Sequence, residues 1–337
     1  MTEEVKKYAP ISIPTLNRYE HFKRCLESLE RCTGADKTVV YVGLDYPPAE
    51  KYIGGWKKID EYLKVKEQNN RFRELKVFRR EYNLGISGPN SNFEVLKDEI
   101  RKVSDCMIFS EDDNEFSPNF LEYMNWGLQK YREDPSIYSI AGYNEIDVDD
   151  FIEENVFKST WYSAWGVGVW FEKSDVLRKK VTDEQYLRNY IKNCPLSLIF
   201  KRDVWIPSSM VHSLETGIHH GDGLVYRDKD RILYTIHPKL SMVRNWGADG
   251  TGQHGSNKNR QNIQMYAPTD ESLEFIPPAG NLMYDKRVDE AYHKQLPSRP
   301  LWRLYRICDF LSYKLTGKGL YKVLLFYKKH IRKYLKK

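Results

Sequence analysis

No stretch of this sequence approaches the roughly 20 consecutive apolar residues that a membrane-spanning helix needs, which excludes a helical span. It contains no Asn-x-Ser/Thr sequon and no Cys-x-x-Cys pair. Its five cysteines, Cys25, Cys32, Cys106, Cys194 and Cys308, are odd in number and scattered. Cys25 and Cys32 fall two turns apart on one expected helix, roughly 10 Å, too far for a disulfide. No spacing suits a cysteine-histidine metal site either. Residues Met1 to Pro10 are charged and lack an apolar signal core. Reduced, mostly buried thiols in a cytoplasmic protein are the expectation.

The body of the chain also lacks a positive surplus. Of the net charge of +6, Arg299 to Lys337 holds +11, with 12 Lys and Arg against the single acid Asp309, so the other 298 residues carry −5. A mildly acidic body argues against a nucleic-acid partner. What the chain does have is a core-forming composition, 41% hydrophobic and 30% charged, over 337 residues. That is enough for one large α/β domain, with or without an appendage. The 24 Tyr and 8 Trp either fill that core or stack on sugars and nucleobases.

The first 145 residues alternate between strand and helix. Ala9–Pro14 is a short apolar run, followed by a helix over Tyr19–Arg31 with Phe22, Cys25, Leu26 and Leu29 on one stripe. Thr38–Leu44 is β-branched and uninterrupted, as a buried parallel strand should be. A helix marked by Trp56, Ile59 and Leu63, a strand at Leu75–Phe78 and a turn-rich stretch from Asn83 to Asn90 come next. A helix presenting Phe93, Leu96, Ile100 and Val103 leads into a strand at Cys106–Ser110. Ser117-Pro118 starts a further helix to about Tyr131, and Ile137–Ala141 is a fifth strand. This order predicts a parallel sheet with helices on both faces. Further on, helices are expected near Ser174–Lys179, Asp183–Asn193 and from Asp222, and a strand at Ile232–His237.

Glu111-Asp112-Asp113 directly follows an apolar strand. Three adjacent carboxylates there repel one another and need a cation or several hydrogen bonds to stay ionised. Mn²⁺ or Mg²⁺, held by one or two carboxylates and completed by phosphates and water, meets that need. A bound diphosphate would then lie in the crevice outside the strand ends. A solvated acidic turn ahead of a helix is the alternative.

Four segments at four strand ends carry a family resemblance: Ile13-Pro-Thr-Leu-Asn-Arg18, Asp45, Asn83-Leu-Gly85 and the acidic triplet. Together they resemble GT-A nucleotide-sugar glycosyltransferases, in particular the Golgi N-acetylglucosaminyltransferase group and its bacterial capsule and lipopolysaccharide relatives. The match covers about residues 8–256. It implies a Rossmann-like, mixed but mainly parallel GT-A sheet. It makes Asp113 the Mn²⁺ or Mg²⁺ ligand and places a nucleotide-sugar donor, UDP-linked, on Pro14, Thr15, Asn17, Arg18, Asp45, Asn83, Gly85, Glu111 and Asp112. Two later segments extend the resemblance. His220-Gly-Asp222 resembles the acidic helix start that supplies the catalytic base of an inverting transfer, with Asp228 and Asp230 as fallbacks. Asn245 to His254 resembles a glycine-rich turn closing over the diphosphate, with His254 on phosphate or metal. In Trp161–Phe171, Gly166 and Gly168 allow close backbone approach to a ligand, and Trp165 or Trp170 forms an acceptor wall, the alternative being that Trp170 and Phe171 belong to the core.

The resemblance implies residues 1–145 as the nucleotide-sugar half and 146–298 as the acceptor half of one GT-A domain. Residues 299–337 form a helical tail. There Leu320, Val323, Leu324 and Tyr327 share one helical face among Lys and Arg, the pattern of a basic helix on an anionic membrane surface. The function implied is transfer to a glycan or lipid-linked acceptor in bacterial surface-polysaccharide synthesis, on the inner face of the plasma membrane. A sugar-nucleotide nucleotidyltransferase would carry a glycine-rich, basic loop after the first strand, and Pro14-Thr-Leu-Asn-Arg18 lacks the glycines. A catalytically inactive carbohydrate-binding protein of the same fold would have no reason to combine Asp113, Asp222 and His254.

Overall fold

The computed structural model describes residues 8–196, 205–217, 233–252, 263–296 and 300–326. They divide into two compact units, residues 1–172 with 234–286 and residues 173–233 with 287–337.

The first unit is built on an eight-stranded sheet. Strands β1 (Ile11–Thr15), β2 (Val39–Leu44), β3 (Glu74–Arg79) and β4 (Cys106–Phe109) lie side by side in the order β3-β2-β1-β4, all parallel. Ile11, Ile13, Val40, Val42 and Ile108 point to one face and are fully buried. They share a core with the apolar sides of α1 (Tyr19–Glu30) and α2 (Ile53–Gln68). The expected stripe Phe22, Cys25, Leu26 and Leu29 of α1 is completely buried. Helix α3 (Asn92–Arg101) covers the opposite face. Gly43 makes room for it, since a Cβ there would meet Asn92 Oδ1 at 2.5 Å and Leu96 at 2.9 Å.

The chain then makes β5 (Asn114–Phe116), α4 (Phe120–Lys130), β6 (Ile137–Ala141), β7 (Val156–Ser159), β8 (Val167–Trp170), β9 (Tyr234–Pro238) and β10 (Val243–Asn245). The sheet continues past β4 as β8-β6-β9-β7. β8 runs antiparallel to both β4 and β6, β6 is parallel to β9, and β7 is antiparallel to β9. The sheet is therefore mixed and mainly parallel, with helices on both faces, as the resemblance implies. β5 and β10 form a separate antiparallel ribbon.

The second unit is helical among the described residues. It comprises most of α5 (Phe171–Thr182), then α6 (Glu184–Asn193), α7 (Trp205–Thr216), most of α8 (Lys286–Gln295), α9 (Pro300–Thr316) and α10 (Tyr321–Phe326). Asp183 caps α6 by accepting from the amides of Gln185 and Tyr186 at 2.8 and 3.2 Å. Lys314 Nζ on α9 donates to the carbonyls of Ile191, Lys192 and Cys194 at 3.2, 2.8 and 2.6 Å, closing the other end of α6. Within this helical unit α9 has an apolar face of its own, which buries Phe310 and Tyr313.

Candidate functional site

Strands β1, β2, β3 and β4 run in one direction, so the segments leaving their carboxyl ends meet at one edge of the sheet. The backbone ladder extends one residue beyond β2, β3 and β4. Asp45 N donates to Thr15 O at 2.9 Å, Arg80 N to Leu44 O at 3.0 Å and Ser110 N to Ser12 O at 2.9 Å. In an open α/β sheet this is where ligands bind.

After β4 the acidic triplet turns sharply into β5. Asn114 Nδ2 donates to Ser110 Oγ at 3.0 Å, and Ser110 Oγ donates to Glu111 O at 2.8 Å. Asp112 and Asp113 are buried, 7% and 5% exposed, so their repulsion cannot be left to solvent. Arg18 supplies the cation. It sits at the N-terminal boundary of α1, makes no capping hydrogen bond with its side chain, and sends its guanidinium across the triplet. Nη2 pairs with Asp112 Oδ1, and Nη1 with Asp113 Oδ2 at 2.8 Å. Thr15 Oγ1 donates to Asp112 Oδ2 at 2.8 Å. Burial alone would lower the Arg18 pKa, but the two carboxylates outweigh it and hold the guanidinium charged. Burial raises Asp112, with Arg18 pulling the other way. Burial and the charges of Asp113 and Asp112 push Glu111 up to about 7.

The β5–β10 ribbon brings a second group of residues to the triplet. Asn245 Nδ2 donates to Asp113 Oδ1 at 2.8 Å and to Asn114 Oδ1 at 2.9 Å, and Trp246 N donates to Asp113 O at 2.8 Å. Gly247 packs against the carboxylate itself, where a Cβ would lie under 3.0 Å from Asp113 Oδ2. Beyond it, Asp249 accepts from Thr251 and pairs with His21 Nε2 of α1 at 3.1 Å. Of the glycine-rich segment from Asn245 to His254, Asn245, Trp246 and Gly247 lie against Asp113. His254 lies outside the described residues, as do Asp222, Asp228 and Asp230.

Asp45 is almost fully enclosed. Its Oδ1 accepts from the amides of Tyr46 and Leu84 at 2.9 and 2.8 Å, and its Oδ2 from Gly85 N at 2.9 Å and Asn83 Nδ2 at 3.1 Å. Asp45 thus pins the Asn83–Gly85 turn beside the strand ends, and Gly85 permits that turn with φ of 72°. Pro14, the penultimate residue of β1, is half-buried, and Asn17 lies in the turn before α1. Arg80, which no motif in the sequence singles out, follows β3. Its Nε donates to Asn92 Oδ1 at 3.0 Å, while its Nη2 is buried without a hydrogen-bond partner among the described residues. The sequence signal was a second arginine directly after a strand end.

Trp165 reaches the triplet by donating Nε1 to Glu111 Oε2 at 3.0 Å, its ring held edge-on by Tyr143 at 4.7 Å. Trp170 does not form an acceptor wall. It is 4% exposed, and its Nε1 donates to Leu128 O at 3.1 Å inside the core, because β8 lies between β4 and β6 under α4. The two glycines are corrected with it. A Cβ at Gly166, whose φ is 62°, would meet Val243 at 2.8 Å and Phe120 at 3.1 Å, and one at Gly168 would meet Met124 at 3.0 Å. On that side their small size serves core packing.

No group of three or more His, Cys, Asp or Glu that could hold a metal occurs among the described residues. The donor set fits instead a Mn²⁺ or Mg²⁺ site completed by a substrate. Asp113 offers a carboxylate at the strand end, and the guanidinium of Arg18 is a cation already held against its Oδ2.

No protein-family model matches the chain, and no curated protein matches it. Among solved structures, the chain is similar over 37% of its length to Staphylococcus aureus TarS, at 17% identity and a TM-score of 0.27, covering 20% of that chain. The shorter TarS 1–349 in complex with UDP gives 17% identity, 37% coverage here and 33% there, and a TM-score of 0.28. The mannosyltransferase PcManGT from Pyrobaculum calidifontis, in complex with GDP-Man and Mn²⁺, matches at 12% identity. It covers 51% of this chain and 46% of that one, with a TM-score of 0.32. The chain thus spans less than half the length of each.

Proposed function

We propose that this chain is a glycosyltransferase that moves a sugar from a nucleoside-diphosphate sugar, UDP-linked, onto a glycan or lipid-linked acceptor, with inversion at the anomeric carbon. The observation that carries the reading is the fork of Arg18 on Asp112 and Asp113 at the carboxyl end of β4. It puts two buried carboxylates and one cation in the crevice where a sheet of this kind binds nucleotides. Asp113 would hold Mn²⁺ or Mg²⁺, and Glu111 and Asp112 would contact ribose and sugar. The Asn83–Gly85 turn and Arg80 line the neighbouring strand ends, where the nucleoside would lie. When bound, Mn²⁺ or Mg²⁺ would supply charge neutralisation on the departing diphosphate. Asp222 would take the acceptor hydroxyl's proton, with Asp228 and Asp230 as alternatives, and Trp165 would border the acceptor.

The test is a thermal-shift panel of UDP-, GDP- and dTDP-sugars with and without Mn²⁺. A ligand at 100 times its dissociation constant stabilises the folded state by about 2.7 kcal/mol, so the true donor should raise the melting temperature by several degrees. The shift is expected with a UDP-sugar and only when Mn²⁺ is present. If no nucleotide sugar moves the transition under either condition, the reading fails. Binding without donor turnover would favour the inactive carbohydrate-binding protein instead.

A second part of the proposal concerns the membrane. No helix among the described residues is long and apolar enough to cross one. The sole acid of the basic segment, Asp309, is buried, accepting from Leu320 N at 2.7 Å and from Ser208 Oγ at 3.2 Å. Lys318, Lys322, Leu301, Leu304 and Val323 are exposed. A surface carrying basic and apolar groups with its acid turned inward suits an anionic bilayer. A cytoplasmic enzyme resting on the inner face of the plasma membrane, acting in surface-polysaccharide synthesis on a lipid-linked acceptor, would use it. Deleting the segment is a poor test, because Phe310, Tyr313 and the Lys314 cap of α6 would go with it. The double variant Lys318→Glu, Lys322→Glu leaves those in place. With each basic residue near the surface contributing about 1 kcal/mol, it should cut sedimentation with phosphatidylserine vesicles at least tenfold. Wild-type protein that stays in the supernatant at low salt would defeat the membrane assignment.

A further inference from the structure

The same four carboxylate oxygens that favour a metal are all engaged by the protein. Asp112 Oδ2 accepts from Thr15 Oγ1 and Asp113 Oδ1 from Asn245 Nδ2, two neutral donors at 2.8 Å. Asp112 Oδ1 and Asp113 Oδ2 are the oxygens that Arg18 grips, one with each terminal nitrogen. Gly247 presses on Asp113 Oδ2 from the loop side. Of these neighbours only Arg18 carries charge, and only Arg18 stands on a long side chain, 22% exposed, that can swing away without moving backbone. A divalent cation at Asp113 Oδ2 and a guanidinium 2.8 Å from the same oxygen would repel each other, so one must leave.

We infer that Arg18 is an exchangeable counter-ion: it neutralises Asp112 and Asp113 in the empty site, yields Asp113 to the divalent cation, and transfers its own charge to the donor's diphosphate. The inference rests on the transferase reading and adds a role for one side chain within it. Without Arg18, two buried carboxylates would stand unpaired whenever the site is empty, which costs several kcal/mol. With it, metal alone must compete against a bonded guanidinium, whereas metal arriving with a diphosphate gives the guanidinium a new bidentate partner. Metal and nucleotide are therefore taken up together.

The experiment is calorimetric titration of the full chain with Mn²⁺ alone and with UDP at saturating Mn²⁺. Arg18→Met is expected to bind Mn²⁺ alone at least tenfold more tightly than wild type and to bind UDP in the presence of Mn²⁺ at least tenfold more weakly. These opposite signs separate exchange from a scaffolding role, which would leave metal affinity unchanged or weaken both. Arg24→Gln removes the same charge from α1 at a residue that stacks on Trp246 at 4.2 Å. It should change Mn²⁺ affinity less than twofold, which separates displacement from a general change of field. Should the methionine variant not fold, Arg18→Gln carries the same two expectations. Unchanged or weaker Mn²⁺ binding by a folded Arg18 variant overturns the inference. Wild-type Mn²⁺ affinity in Asp113→Asn would instead overturn the metal reading beneath it.

Discussion

Replacing Asp113 by Asn is expected to reduce sugar transfer by at least about 10²-fold while leaving the fold in place, comparable to the loss of one preorganised charge-stabilising group in an active site. The substitution is nearly isosteric. The new side chain could still accept from Asn245 Nδ2 through its carbonyl oxygen, and the β5–β10 pairing of Asn114 with Asn245 would persist. What changes is the atom facing Arg18, where an amide donor would replace Oδ2 and meet another donor. Arg18 keeps its bond to Asp112, so the stability cost should be about 1–3 kcal/mol and not that of a fully orphaned buried charge. The Mn²⁺-dependent part of the thermal shift with a UDP-sugar should vanish. Wild-type turnover by Asp113→Asn in chelator-treated buffer would refute the assignment.

The strands that build this site were legible because each is short, apolar and closed by a polar or turn-forming residue. Asp45, Asn83 and the acidic triplet mark their ends. Partnerships across the chain were not legible. Nothing in the local pattern says that Asp45 spends its carboxylate on the turn around Gly85, 40 residues on, or that Asn245 reaches Asp113 across 132 residues. Such pairs arise only once the parallel order of β1, β2, β3 and β4 is set. β8 escaped recognition for a different reason. Val167–Trp170 is flanked and interrupted by glycine and aromatics, a composition that suits a ligand wall as well as a strand buried on both sides. The same ambiguity misplaced Trp170. β5 is three residues long and includes two polar ones, too little for any periodicity. The segment after residue 299 was read by its charge, which is real, but charge gave no sign that Phe310 and Tyr313 face inward.

Gly247→Ala is expected to damage the site nearly as much as loss of Asp113, although it adds a single methyl group and removes no chemistry. A Cβ at this position would lie under 3.0 Å from Asp113 Oδ2, with Asn245 Oδ1 only 3.1 Å away. Surroundings often yield to such a clash, but here both sides are tied. Gly247 N donates to Asn245 Oδ1 at 3.0 Å, Trp246 N donates to Asp113 O at 2.8 Å, and Asn245 is held in the ribbon opposite Asn114. Either the loop lifts and loses those bonds, or Asp113 rotates and loses Arg18. Overpacking of this kind typically costs about 1–3 kcal/mol. A misplaced carboxylate at a reacting centre can cost on the order of 10²-fold in rate even when it is still present. Gly54→Ala is the control, because a Cβ there meets nothing within 4 Å and the residue lies in α2, where alanine is the better helix former. Gly54→Ala should keep wild-type transfer and melt at the same temperature or slightly higher. Gly247→Ala should melt lower, bind Mn²⁺ and UDP together more weakly, and lose most of its turnover. If it transfers sugar at the wild-type rate, the loop is not seated on Asp113 in the working enzyme, and the contact between Gly247 and the acidic turn has no part in holding the donor.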